Sequence, residues 1–284
     1  MKKELAITLA FIMVVGLALK RESAARVEFD TMQSRNMLAL VDMKSGYLLG
    51  GSVRKNKTPV FVTATEMVKS LRERTPYAIY SATKRLGQGV GTKPKAQGAP
   101  CEETLFVNLS PNKGTQSEFA IAGTWNALPR VPKMESTSQK VYRNAVAAIL
   151  KKRGIAKPNV KITQVWRVDL DGDKREEVLI SATSKDRPGN DISSGASAGQ
   201  YSILALRKLV RGKVQTIPID GEIYPKAKEF NAPSFYRIAA VLDVDGDSKM
   251  EILTRGRYYE GDWTTVYSVR GEKVSEVLAA GCGA

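Results

Sequence analysis

The 284-residue chain contains no histidine. That removes imidazole general bases, His-dependent serine or cysteine catalysis, and His-rich zinc sites. Cysteine is scarce: Cys101 and Cys282 are the only two. An even pair is a disulfide candidate in an oxidising compartment, with two separate thiols as the alternative. Acidic residues are outnumbered 29 to 44 by Lys and Arg, for a net charge of +15. Apolar residues make up 43% and charged residues 26%, which excludes wholesale disorder and permits a sizeable core.

Long hydrophobic runs are also rare. The one at the start, Leu5 to Leu19, follows Lys2 and Lys3 and precedes Ser23-Ala24-Ala25. It is shorter than the roughly 17 to 25 residues a spanning helix needs, and the layout is that of a signal peptide. Residues 1–25 are therefore expected to direct export to the periplasm, cell surface or medium, or to serve as an uncleaved anchor through residues 5–19. Without residues 1–25 the chain would carry 40 basic and 27 acidic residues, a net +13. Residues 51–100 hold ten Lys or Arg against two acids. Such a surface is either simply solvated or a face for an anionic cell-wall polymer, lipid headgroups or nucleic acid.

Residues 26–46 lack a clear period and read as a linker. Residues 47–157 read as a basic α/β region. Thr63-Ala64-Thr65-Glu66 is a capping-box pattern opening a short helix that Pro76 stops. Tyr77–Ala82 and Thr104–Leu109 read as strands around a Gly/Lys/Pro-rich loop, 84–100. A second helix is expected over Gln139–Arg153, with Val141, Ala145 and Ile149 on one face and Gly154 past its end.

Beyond Pro158 the pattern changes to period 2. Strands are expected at Ile162–Val168, Val178–Ala182, Tyr201–Lys208 and Val214–Ile217, with Arg211-Gly212 as a turn and Pro218 as a stop. A second set is expected at Tyr236–Leu242, Ile252–Arg257, Thr264–Val269 and Val274–Leu278, with Arg270-Gly271 turning. The sets align at a constant offset of 74 residues through an acidic loop. The expected fold is mainly β with minor α: two four-stranded, blade-like repeats over residues 158–284, preceded by the smaller α/β region.

The acidic loops carry the chemistry. Asp169, Asp171, Asp173 and Glu177 occupy positions 1, 3, 5 and 9 of the first; Asp243, Asp245, Asp247 and Glu251 match them in the second. Calcium takes about six to eight oxygens, and a tight loop with alternate acids can turn several carboxylates inward. Position 7, Arg175 or Lys249, would contribute its backbone carbonyl. Four acids in nine residues repel one another unless a cation neutralises them. The bland alternative is an Asx-rich turn between strands, and its recurrence at the same point of a repeat counts against it. An EF-hand would need Glu at position 12, where Ile180 and Thr254 stand.

An acid at position 9 followed at once by an apolar strand, Val178-Leu179-Ile180 or Ile252-Leu253, resembles the calcium loops of FG-GAP repeats, as in integrin α-subunit propellers and related bacterial surface proteins. The resemblance covers residues 160–280 approximately. It implies a β-blade setting with the two four-acid sets as Ca2+ ligands. Position 6 departs from the family's glycine, being Lys174 and Ser248, and the Phe-Gly and Gly-Ala-Pro sequences are missing.

Other motifs carry less. Gly195-Ala196-Ser197-Ala198-Gly199 matches a nucleophile elbow but lies in a Ser/Gly-rich loop of a chain without histidine. Gly87, Gly89 and Gly91 beside Lys93 fit neither phosphate-loop spacing. Trp166, Tyr258, Tyr259 and Trp263 are expected near the acidic loops, as core or as a carbohydrate platform. The reading is an exported calcium-binding, non-enzymatic surface or periplasmic protein, either a purely structural envelope component or a binding protein whose partner is a macromolecule such as a carbohydrate or anionic envelope polymer. Nucleic acid is not the expected partner, and membrane contact is expected only through an uncleaved N-terminal segment. The alternative is a histidine-independent carboxylate enzyme acting on polysaccharide, with Asp262 and Glu260 as its acids.

Overall fold

The computed structural model describes residues 37–56, 58–111, 114–185 and 193–283. Residues 1–25, read as a signal or anchor, lie outside them, as do residues 26–36 of the expected linker. No helix among the described residues is long and apolar enough to cross a membrane.

The chain is mainly β, and its strand pairs are antiparallel. Seven strands form one sheet: β1 (Met37–Asp42), β2 (Leu48–Lys55), β3 (Thr58–Thr63), β4 (Thr75–Tyr80), β5 (Arg85–Gly91), β8 (Leu109–Ser110) and β9 (Phe119–Ala122), in the order β3-β2-β1-β9-β4-β5-β8. Short strands β6 (Lys95–Ala96) and β7 (Leu105–Phe106) pair separately.

Two elements here correct the sequence reading. Within the expected linker, β1 is a strand near the middle of the sheet. Leu40 faces one apolar cluster while Ala39 and Val41 face another. A strand buried on both faces shows no alternation, so its pattern does not announce it. Within the expected loop 84–100, β5 pairs with β4. Its glycines are needed for close approach: a Cβ on Gly91 would lie 2.6 Å from the Tyr77 ring.

The capping box at Thr63 is present, with Glu66 bonded back to the Thr63 N–H, and opens α1 (Ala64–Met67). Helix α2 (Lys140–Lys152) packs Tyr142, Val146 and Leu150 on Ile180 and Ile203. Of the expected face, Ala145 is buried and Ile149 packs against the same cluster, whereas Val141 is 50% exposed and Tyr142 takes the covered position beside it.

The second sheet runs β10 (Lys133–Met134), β11 (Ile162–Val168), β12 (Glu177–Thr183), β13 (Gln200–Val210), β14 (Lys213–Tyr224); the third runs β15 (Phe235–Leu242), β16 (Glu251–Arg257), β17 (Asp262–Arg270), β18 (Lys273–Cys282). All eight strands expected beyond residue 158 are present, and β10 adds a fifth to the first set. Pro218 does not stop β14. It pairs with Ala205 beside a register shift, on an edge strand where a missing N–H is tolerated.

The three sheets share one core. Leu40, Tyr80 and Phe119 of the first, Trp166, Leu179 and Leu204 of the second, and Ile238, Val241, Ile252 and Val266 of the third fall in one buried cluster. Residues on both sides of the expected boundary at 158 contribute to that core, and β10, which precedes it, belongs to the second sheet. The Gln164 amide ties the second sheet to the third: Nε2 donates to the Ile238 carbonyl and Oε1 accepts from the Ile238 N–H. Cys101 and Cys282 are disulfide-bonded, joining the last strand to the N-terminal half across 181 residues.

Candidate metal centre

Each acidic loop connects the first two long strands of its sheet, 169–176 between β11 and β12 and 243–250 between β15 and β16. The apolar residue at position 2, Leu170 or Val244, is buried in the shared core and anchors the loop. The backbone then winds around the carboxylates identically in both copies. Asp169 Oδ1 accepts from Gly172 N at 2.7 Å and Asp243 Oδ1 from Gly246 N at 2.7 Å. Their Oδ2 atoms accept from Lys174 N and Ser248 N at 3.0 and 3.1 Å. Glu177 and Glu251 reach back to Leu170 N and Val244 N at 2.9 and 3.0 Å. Position 6 is left-handed, with φ 69° at Lys174 and 70° at Ser248. A non-glycine residue there is strained, and the bond to position 1 offsets part of the cost.

Asp169, Asp171 and Glu177 bring ligand atoms within 4.8 Å of one another, as do Asp243, Asp245 and Asp247. Either triad could hold a metal ion. Asp173 stands outside the first triad and caps Arg175 N at 2.8 Å. Glu251 stands outside the second, yet its free oxygen meets the same cation as Asp245 and Asp247. The Arg270 guanidinium lies 3.6 Å from Asp245 Oδ2, 3.0 Å from Asp247 Oδ2 and 3.6 Å from Glu251 Oε1. In the first loop Lys208 Nζ lies 3.3 Å from Asp171 Oδ2 and 3.7 Å from Glu177 Oε1. The basic side chains of Arg175 and Lys249 take no part in either cluster, and it is their backbone N–H groups that bond within the loops.

Sequence reasoning missed Lys208 and Arg270 because each arrives from a later strand. Lys208 had a signal, a charged residue inside the apolar run of β13. Its side chain is 8% exposed.

The second loop is the deeper. Asp243 and Asp245 are 2% exposed and Glu251 is fully buried. Burial pushes the Glu251 carboxyl up to about 9, with the Asp245 charge adding to it. Burial likewise raises Asp243 and Asp245 to about 6, against the backbone N–H groups of Ser248 and Gly246 on Asp243 and with the Asp247 charge on Asp245. In the first loop burial raises Glu177, opposed by the Leu170 N–H and Lys208. Glu251 Oε1 is buried and has no hydrogen-bond partner. Buried polar atoms without hydrogen-bond partners are rare; this one faces the Arg270 guanidinium at 3.6 Å, an ion-pair distance too long for a hydrogen bond.

The aromatic residues lie elsewhere. Trp166 belongs to the shared core, while Tyr258, Tyr259 and Trp263 line a cavity at the far end of β16 and β17. The seven residues from Glu251 to Arg257 put that end about 20 Å from the acidic loop at ~3.3 Å per residue. Ser197 is followed by strand β13 and not by the helix an elbow needs. No family model, curated protein or solved structure matches this chain.

Proposed function

We propose that this protein is an exported, calcium-stabilised binding protein of the cell envelope, with FG-GAP-like, blade-like repeats in its C-terminal half. The observation that carries the calcium reading is the recurrence of the acidic triad at matching loops of two sheets, Asp169, Asp171 and Glu177 in one and Asp243, Asp245 and Asp247 in the other, each with ligand atoms within 4.8 Å of one another. A hard divalent cation would take such oxygens and discharge clusters of like charge, in competition with Lys208 and Arg270. Calcium is structural here. Both loops are anchored through the core, so filling them braces the sheets rather than a reaction. Export is proposed from the N-terminal layout, and the Cys101–Cys282 bond suits an oxidising compartment. The partner is a carbohydrate or anionic envelope polymer. Elemental analysis of purified protein, with thermal melts in chelator and in millimolar calcium, tests the reading. Identical melts and no bound metal would end it.

One observation favours a second reading, a histidine-independent carboxylate enzyme. Asp262 and Glu260 line the cavity at the end away from the acidic loops. Polysaccharide cleavage abolished in both Asp262→Asn and Glu260→Gln would support it.

A further inference from the structure

The far-end cavity has a volume of about 700 Å³, within the roughly 300 to 1,000 Å³ range of small-ligand sites. It is built as a rigid site. At its floor Arg255 is bonded through Nε and Nη2 to Asp42 at 2.7 and 2.6 Å, and also to Glu118. Asp42 is fully buried, and Thr264 donates to it as well. This ionic floor is satisfied by the protein itself.

The wall is aromatic. Trp263 lies across its cross-strand partner Gly256, where an added Cβ would come within 2.1 Å of the indole. Gly281 gives similar room, its Cβ position lying 2.6 Å from Trp263 Cβ. Tyr236 meets the indole edge-on at 5.7 Å, and Tyr258 meets Tyr259 edge-on at 5.6 Å. Rings fixed at such angles are not stacked on one another, which leaves ring faces for a ligand. The rim is braced as well: Tyr47 donates to Asp262 Oδ1 at 2.9 Å, and Asp262 pairs across strands with the disulfide-bonded Cys282.

The rim carries both charge signs. Glu260 and Asp262 can accept bonds from hydroxyls. Arg255 is consumed by the floor, whereas the exposed Arg257 guanidinium makes no ion pair or hydrogen bond among the described residues. A purely apolar ligand would strand these charges. A pyranose would pack its C–H faces on the rings and donate its hydroxyls to the carboxylates, and a carboxylate on it would match the planar fork of Arg257.

We propose that this cavity binds an acidic sugar, a pyranose unit carrying a carboxylate. This deepens the binding half of the reading above by giving it a site and a ligand class, and it does not require the calcium half. The test is titration of the full, disulfide-intact chain with digalacturonic acid and with its methyl ester, which keeps the rings and loses the charge. Tryptophan fluorescence and calorimetry provide the readout. The expected result is saturable binding of the acid, weakened at least about tenfold for the ester and in Arg257→Gln and Tyr259→Ala, with Arg257→Lys intermediate. Both residues are exposed, and near-ultraviolet dichroism checks that each variant is folded. Absent saturable binding in calcium, equal affinity for acid and ester, or unchanged affinity in both Arg257→Gln and Tyr259→Ala would overturn the proposal. Repeating the titration in chelator separates the readings: a loss there, accompanied by a lower melting temperature, concerns the calcium loops alone.

Discussion

The backbone N–H of Met250 donates to the carbonyl of Leu170 at 2.8 Å, joining the second acidic loop to the first. Arg130 strengthens that junction. Its guanidinium donates to the carbonyls of Asp169, Leu170 and Ser248, at 2.5, 3.1 and 2.7 Å. One side chain therefore positions both candidate centres. Arg130→Ala should destabilise the protein by about 1 to 3 kcal/mol, since it takes a charged donor from the carbonyls of Asp169, Leu170 and Ser248, of which Leu170 keeps the Met250 N–H. It should also weaken calcium binding at both loops. Calorimetric titration reads this, and an unchanged isotherm would refute the coupling.

Calcium should raise the melting temperature through both loops. A ligand confined to the folded state adds RT ln(1 + [L]/Kd), so a Kd of about 0.1 mM and about 1 mM calcium contribute roughly 1.4 kcal/mol per site. Asp245→Asn should lower that dependence while leaving the metal-free protein as stable or more so, because burial and the Asp247 charge already disfavour that carboxylate; Asp171→Asn should lower it at some cost to the metal-free protein, because Lys208 loses its nearer partner. An Asx turn without metal would instead lose equally in calcium and in chelator. Paired melts of each variant distinguish the two.

Lys208 and any bound cation compete for Asp171 and Glu177. Lys208→Met should therefore tighten calcium at the first loop severalfold and destabilise the chelated protein. The cost should be about 1 to 3 kcal/mol, below that of a dry pair because the Asp171 side chain is 32% exposed. If affinity falls in Lys208→Met, the lysine is not a competitor.

Reduction of Cys101–Cys282 should lower stability by roughly 2 to 4 kcal/mol, since the bond closes a long loop of the unfolded chain. It should loosen the β17–β18 rim first, where Thr104 also holds the Gly281 carbonyl. Hydrogen exchange with and without reductant would show this as faster exchange at residues 262–282. Uniform exchange across the chain would argue against a local brace.

Alkaline pH should destabilise the protein. Burial, with the Asp220 bond and charge, raises the Tyr267 phenol, and burial raises Tyr236 as well. The folded state then holds protons that the unfolded state releases near the ordinary tyrosine value of about 10. The stabilisation is complete below that pH and declines above it. Urea midpoints should fall as pH rises beyond about 10, and less steeply in Tyr267→Phe, whose equal slope would exclude this cause.

The order of strands β11 to β18, the capping box at Thr63 and both acidic loops were legible in the sequence, because each is written in local spacing. The loop carboxylates bond to backbone within seven residues of themselves. Alternation, turn glycines and acids at odd positions are enough to mark such units. What lies beyond that range was decided by the tertiary structure. Strand β1 was hidden because burial on both faces erases alternation, and β5 because its glycines are justified only by the rings and strands they approach. Lys208 and Arg270 reach the acids only through strand pairing. Cys101 and Cys282 were a candidate pair in the sequence, but only the packing of the third sheet against the first brings them together. The cavity was legible only in part: Tyr258, Tyr259, Glu260, Asp262 and Trp263 stand together in the sequence, whereas Asp42, Gln164 and Arg255 join them from three further strands. Chain connectivity sets none of the separations among those three, and the shared core sets them all.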